Sequence, residues 1–227
     1  MNIAPVFSIL GVLLTILSFT MLIPMLIEIL SGSQNWFGFA SASLISCFIG
    51  ISLWLTNRSK QELNLGLKEA FLLTNFAWVL SGIFGALPFV FSDLRLDFTD
   101  ALFESISGIT TTGSTILVNI ELASPGIILW RALLQWLGGI GIIVMALAIL
   151  PTLSVGGMQL FKTETYEASD NAIPRARQLA GGIFAVYAAL TFIWSFMLWL
   201  AGMTSFDAII HSMTTLATGG YSSKTSS

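Results

Sequence analysis

The sequence predicts an all-α integral membrane protein in which spanning helices alternate with two re-entrant loops. Three observations carry that reading. Charged residues are 9% of the 227 and apolar residues 55%, with a mean hydropathy of +0.87, whereas a soluble domain carries roughly 25% charged residues. The charges are bunched, leaving uncharged stretches at 1–27, 29–57, 70–92, 132–161 and 178–206, each longer than the about 20 residues that cross a bilayer core. Two short segments at an offset of 107 residues each run from a half-length helix into a threonine–glycine loop.

The same counts exclude other classes. A net charge of −3 with no basic stripe argues against a nucleic-acid partner and leaves membrane lipid as the surroundings. Cys47 is the only cysteine, so no intrachain disulfide or CxxC metal site exists. His211 is the only histidine, which excludes a multi-histidine metal centre. No organic cofactor is expected.

The first span covers about 4–30 and includes Pro24, tolerable where neighbours satisfy the freed carbonyl. It lacks a basic leader and is longer than a signal peptide's apolar region, so it reads as a retained helix. Ser31 to Asn35 is turn chemistry. The second span, about 36–55, has Trp36 and Trp54 at its ends as interfacial anchors. A polar segment from Asn57 to Glu69 leads into a third span, about 70–91, which ends near Pro88. Residues 92–100 are polar again.

From Asp100 to Ile109 only ten residues are available, about 15 Å of helix or half a bilayer core. Thr99 reads as its N-cap and Asp100 as a first-turn acid. Thr110-Thr-Thr-Gly-Ser-Thr115 then suits irregular backbone rather than helix. A half-helix followed by irregular backbone at membrane depth is a re-entrant loop, stable only where protein or water surrounds it.

The fourth span opens at Ser124-Pro125, an N-cap serine with proline at the first helical position, and closes before Pro151. Trp130, Arg131 and Trp136 crowd its first half, and Gly138, Gly139 and Gly141 read as a close-packing surface rather than an ion contact. A polar connection, 151–178, precedes the fifth span, about 179–202. Ser205-Phe-Asp207 then starts a second short segment that ends in Thr218-Gly-Gly-Tyr-Ser222. Loops 56–69 and 151–178 hold Arg58, Lys60, Lys68, Lys162, Arg175 and Arg177, against Arg95, Arg131 and Lys224 on the other side. By the positive-inside rule the first two loops are cytoplasmic and both re-entrant loops enter from outside.

The two short segments align without gaps. Asp100 matches Asp207, Ala101 matches Ala208, Ser105 matches Ser212, Thr111 matches Thr218 and Gly113 matches Gly220. A span, half-helix, Thr-x-Gly loop and second span resembles the potassium-channel pore unit, and Thr218-Gly-Gly-Tyr-Ser222 resembles its T-V-G-Y-G filter. A dehydrated cation needs a ring of oxygens, which successive carbonyls supply where glycine permits the φ that aims them inward. The candidate site is therefore Thr111, Thr112 and Gly113 with Thr218, Gly219 and Gly220, acting mainly through backbone carbonyls.

Four runs carry a closer resemblance: Thr110 to Thr115, Trp130-Arg-Ala-Leu-Leu-Gln-Trp-Leu-Gly-Gly-Ile-Gly141, Gly156-Gly-Met-Gln-Leu160 and Ala217 to Ser222. In these the chain resembles the membrane subunit of the Trk/Ktr/HKT potassium-transporter superfamily, TrkH type. The resemblance implies four pore units around one path, preceded by a helix pair. It implies K⁺ as the transported ion, taken up through the bacterial inner membrane, a homodimer, and a cytoplasmic nucleotide-binding regulatory subunit. On that pattern residues 1–60 are the helix pair, 61–155 the first pore repeat, and 156–227 a cytoplasmic connection with an incomplete second repeat, the chain being truncated after the second filter.

The alternatives are a sodium-permeable relative and a non-conducting assembly subunit. In the superfamily a serine in place of a filter glycine goes with Na⁺ permeation; Gly113 and Gly220 favour K⁺. An intramembrane enzyme needs a nucleophile–base pair or metal ligands within its spans, which one histidine and one cysteine on separate elements do not offer. Arg131 reads equally as a functional membrane charge or as a snorkelling arginine close to Pro125. Glu104 and His211 occupy equivalent places in the half-helices and read first as partners for nearby backbone, then as electrostatic tuners of the loops. Glu28 reads as interfacial, and Cys47 and the methionines as filler.

The charge bias generates a topological prediction. In a Cys47→Ser background, cysteines at Ser59 and Ser169 are expected to be shielded from membrane-impermeant thiol reagents in intact cells, and one at Ser92 labelled. Reversed accessibility would invert the assigned orientation.

Overall fold

Proline dictates the first event in the chain. A proline ring clashes with the carbonyl four residues earlier, and Pro24 places that clash at Thr20. In the computed structural model, which describes residues 3–58, 66–149 and 172–225, the first span accordingly breaks at Met21 into α1 (Ala4–Thr20) and α2 (Leu22–Leu30). The remaining elements are α3 (Trp36–Asn57), α4 (Leu67–Val90), α5 (Phe98–Ile109), α6 (Pro125–Ile149), α7 (Ala172–Leu200) and α8 (Ser205–Leu216). No strand occurs among the described residues. Five helical segments are long and apolar enough to cross a membrane: 4–30, 36–57, 68–90, 125–143 and 181–200.

Helix α1 packs along α3 through small residues. A Cβ on Gly11 would lie 2.6 Å from the Gly50 carbonyl oxygen, and Ser43 donates across the seam to the Ser18 carbonyl at 2.9 Å. Without a hydrophobic drive between helices in lipid, such close backbone approach is what holds a pair together.

The two short helices share one arrangement. Each lies between the long helix before it and α6: α5 against α4 and α6, α8 against α7 and α6. Helix α6 is thereby the centre. Some 67% of its apolar window is buried, against 6% for α7. Trp130 is wholly buried, edge-on to Phe39 with centroids 6.3 Å apart, and its indole N–H donates to the Gly85 carbonyl at 2.9 Å. That carbonyl sits beside the backbone that Pro88 deprives of an intrahelical donor.

Four expectations are corrected. Helix α5 opens at Phe98 with Asp97, not Thr99, at the cap position, because the Asp97 carbonyl already accepts the Ala101 N–H at 2.9 Å. Glu28 is not interfacial but wholly buried, and Ser124 does not cap α6 with its own side chain. The Ser124 hydroxyl instead donates to Glu28 Oε1, which also accepts the Gly126 N–H at 2.8 Å. A carboxylate from α2 thus satisfies an orphan donor at the α6 N-terminus, where the helix dipole favours negative charge. Asn35 extends the knot, donating to Asp93 at 2.8 Å and to Ser124 at 3.0 Å, and accepting the Asp93 N–H. Finally, Ser92 is buried with its hydroxyl on the Phe89 carbonyl, so Thr99, which is exposed, is the accessible reporter for the polar segment 92–100.

The connection centred on 151–171, with the run Gly156 to Leu160, and the domain boundaries at 60/61 and 155/156 lie outside the described residues.

The carboxylate cap gives a stability prediction. Glu28→Ala is expected to destabilise the protein by about 0.5–2 kcal/mol, the usual cost of losing a helix cap. Glu28→Gln, which keeps the accepting oxygen, restores most of it. Thermal unfolding in detergent checks both.

Candidate functional site

The two loops begin as helix C-termini, and they share the same pair of closing bonds. At the end of α5 the Thr112 N–H donates to the Ser107 carbonyl and the Thr111 N–H to that of Gly108, both at 2.9 Å. At the end of α8 the Gly219 N–H donates to Thr214 and the Thr218 N–H to Thr215, again at 2.9 Å. This pairing requires a left-handed residue one position past the helix. Two other helix ends in this chain use glycine there: Gly32 at φ 70° and Gly202 at φ 101° make the same two bonds. The two candidate loops use Thr111 at φ 56° and Thr218 at φ 54°. A non-glycine residue in so sparse a region costs about 1–3 kcal/mol, and such strain concentrates at functional sites.

Left-handed backbone returns two residues on, at Gly113 (φ 80°) and Gly220 (φ 79°), and the residue between is not left-handed in either loop. Backbone that alternates in hand can turn successive carbonyls to one side. The 107-residue offset is therefore kept by helix limits, cap positions and backbone hand alike: Asp97 and Thr204 precede the two short helices with ψ 154° and 151°. The structure brings the loops together. A Cβ on Gly113 would overlap the Gly219 carbonyl oxygen.

Behind the loops lies a buried ion pair. Arg131 Nε of α6 donates to Glu104 Oε1 of α5 at 2.7 Å, and both side chains are fully buried. Glu104 also accepts the Thr115 hydroxyl at 2.9 Å and the Ile116 N–H at 3.1 Å, both on the limb leaving the first loop. Arg131 reaches the second loop, donating to the Ser222 carbonyl at 3.3 Å, with its guanidinium 4.1 Å above the Tyr221 ring. The Tyr221 hydroxyl lies 2.9 Å from the Glu104 carbonyl and 3.2 Å from that of Ser114. Gln135, one turn along α6, accepts the Tyr221 N–H at 3.2 Å.

In the second segment His211 stands where Glu104 stands in the first, and each meets the residue eleven positions on. Glu104 meets Thr115, and His211 Nε2 lies 3.3 Å from the Ser222 hydroxyl. His211 Nδ1 faces the Asp207 carbonyl at 2.8 Å, so the ring bridges its own helix to its loop. Beyond the loops Glu121 binds Thr225 through that residue's hydroxyl and its N–H, the latter at 2.7 Å. Those two bonds hold the exposed Glu121 carboxyl down to about 2, so it is charged at neutral pH.

The arrangement offers neutral oxygens beside the C-terminal, partially negative ends of two short helices, a setting that suits a cation. Among the described residues no group of three or more His, Cys, Asp or Glu side chains could hold a metal. The α6 glycines divide. A Cβ on Gly138 would overlap the Ile109 carbonyl, and one on Gly139 would lie 3.2 Å from Ala217 Cα, so each receives the end of one short helix; Gly141 has open space. Reading Arg131 as a snorkelling side chain is overturned by its burial, and the sequence did carry a signal. Glu104 is an acid inside an apolar half-helix and Arg131 a base inside an apolar span, and ionisable groups at that depth pair with one another. Nothing in the sequence marked Gln135.

Residues 36–227 match the TrkH family, described as a cation transport protein. The chain is 42% identical over 226 residues to the Trk system potassium uptake protein TrkI of Halomonas elongata, covering 99% of this chain and 45% of that protein. It is 42% identical over 225 residues to the Trk system potassium uptake protein TrkH of Escherichia coli K12, covering 98% and 46%. The crystal structure of the potassium transporter TrkH from Vibrio parahaemolyticus is similar with a TM-score of 0.88 at 37% identity, covering 100% of this chain and 46% of that one. The chain spans about half the length of the curated relatives it matches.

The buried pair is testable by a double-mutant cycle. Arg131→Met alone leaves a buried carboxylate unpaired and is expected to cost about 3–5 kcal/mol. Adding Glu104→Gln removes the orphaned charge, so the double variant should be more stable than Arg131→Met alone. Unfolding in detergent reads the coupling.

Proposed function

This chain belongs to the TrkH family of cation transport proteins, and from that premise we propose that it is part of the membrane subunit of a potassium uptake system. It acts in the bacterial inner membrane as a transporter and not as an enzyme. K⁺ is the transported ion and passes along carbonyls of Thr111, Thr112, Gly113, Thr218, Gly219 and Gly220. The observation that carries this is the matched backbone of the two loops, φ 56° and 54° at the threonines and 80° and 79° at the glycines. Carbonyl oxygens on one side of a strand replace the water of a dehydrated cation, and the helix ends beside them favour positive charge.

Electrostatics outside the loops point the same way. Asp93, Asp97, Asp100, Glu121 and Asp207 lie toward the outer face against Arg95 and Lys224, a field that raises the local concentration of cations. The division is a helix pair at 1–60, a first pore repeat at 61–155 and a second beginning at 156. We propose further that additional loops complete the ring, that a second subunit makes a dimer, and that a nucleotide-binding subunit on the cytoplasmic side regulates it.

Gly113→Ser tests the site in a full-length chain carrying these residues. The added side chain meets the Gly219 carbonyl and forces a left-handed serine, so K⁺ over Na⁺ discrimination is expected to fall in flux assays on proteoliposomes. Unchanged discrimination would refute the assignment of these loops as the filter.

A further inference from the structure

Among the described residues, four buried side-chain atoms lack a hydrogen-bond partner: Glu28 Oε2, Ser105 Oγ, Arg131 Nη2 and Gln135 Nε2. The last stands apart because it lies against both loops at once. A Cβ built on Gly219 would fall 2.6 Å from Gln135 Nε2, and one built on Gly113 would fall 3.7 Å from it. Gln135 is wholly buried. Its orientation is fixed chemically. Oε1 accepts the Tyr221 N–H, and turning the amide over would set two donors against each other. The whole amide plane therefore packs on Gly219, with Cδ, Oε1 and Nε2 all within 2.6 Å of a Cβ built there, and its NH₂ end faces Gly113 without an acceptor of its own. Leaving a buried donor unpaired is costly, and an apolar side chain of similar length would avoid that penalty.

We propose that Gln135 is a positioning residue that sets the separation of the two filter loops, and so helps to determine which cation they accept. This rests on the filter reading above. The amide acts as a wedge with one end anchored: Tyr221 fixes how far it reaches, and the planar end fixes how near Gly113 and Gly219 approach. Close-packed groups do not compress, so a rigid amide behind the loops resists collapse toward a smaller ion. K⁺ and Na⁺ differ in radius by a fraction of an ångström, so the separation of the two loops bears on which ion their carbonyls fit. Glycine at both contact points is what admits the wedge.

The test uses the full-length transporter in proteoliposomes, with K⁺ and Na⁺ fluxes measured separately and membrane yield recorded. Gln135→Asn retracts the amide by one methylene, and Gln135→Leu removes the acceptor for Tyr221. Both are expected to lower K⁺ over Na⁺ discrimination about fivefold, the selectivity that one hydrogen bond's worth of differential binding supports, with K⁺ flux largely retained. Gln135→Met keeps the length and loses the acceptor, so its discrimination should fall less than that of the Asn and Leu variants. Normal discrimination in the Asn and Leu variants, alongside a loss in Gly113→Ser, overturns the proposal and leaves the filter reading standing. Normal discrimination in all of them overturns both. Failure of the Asn and Leu variants to reach the membrane shows that Gln135 serves folding, which also overturns it.

Discussion

An arginine and a glutamate buried side by side lose several kcal/mol of hydration each, and their attraction offsets that only when the surrounding donors and acceptors are also engaged. Arg131 and Glu104 meet most of this requirement by recruiting backbone, and the backbone they recruit belongs to the two loops. Glu104 holds the limb leaving the first loop through Thr115 and Ile116, and Arg131 holds the second through the Ser222 carbonyl and the face of Tyr221. Irregular backbone at membrane depth has no water to satisfy it. The ion pair and the loops thus solve each other's problem, and α6 is central because it carries the arginine.

The rest of the fold follows from keeping α6 in place. Its N-terminus is fixed by a carboxylate from α2 and its body by Trp130 against Phe39 and Gly85. Gly138 and Gly139 then let the ends of α5 and α8 approach to backbone contact. The two segments are alike in backbone but not in their supporting side chains. Glu104 in one and His211 in the other reach the matching loop positions, and only the first has a charged partner. Symmetry of the main chain is combined with asymmetry behind it, as expected where one helix, α6, serves both loops.

How much of this the sequence discloses depends on the range of the interaction. The spans are legible because bilayer thickness demands long uncharged runs. The half-helices are legible because ten or twelve residues cannot cross. The loops are legible because threonine and glycine repeat at a fixed offset. What escapes are side chains whose role is set by a distant neighbour. Ser124 has the chemistry of an N-cap, but Glu28, 96 residues earlier in the chain, takes the Gly126 N–H that terminal helix geometry leaves free. Thr99 has cap chemistry too, but the helix begins a residue before it. Gln135 has no periodic or compositional signature, and only the folded juxtaposition of Gly113, Gly219 and Tyr221 makes it informative.

The left-handed threonines have a thermodynamic consequence. Thr111 and Thr218 hold conformations that a free chain would leave, so each loop is poised against relaxation by a small margin. A cargo ion that ligates only the ordered arrangement stabilises it by mass action. On the proposed reading, loop order would then be a saturable function of cation concentration. The strain held at Thr111 and Thr218 would, on that reading, be offset in part by the ion itself.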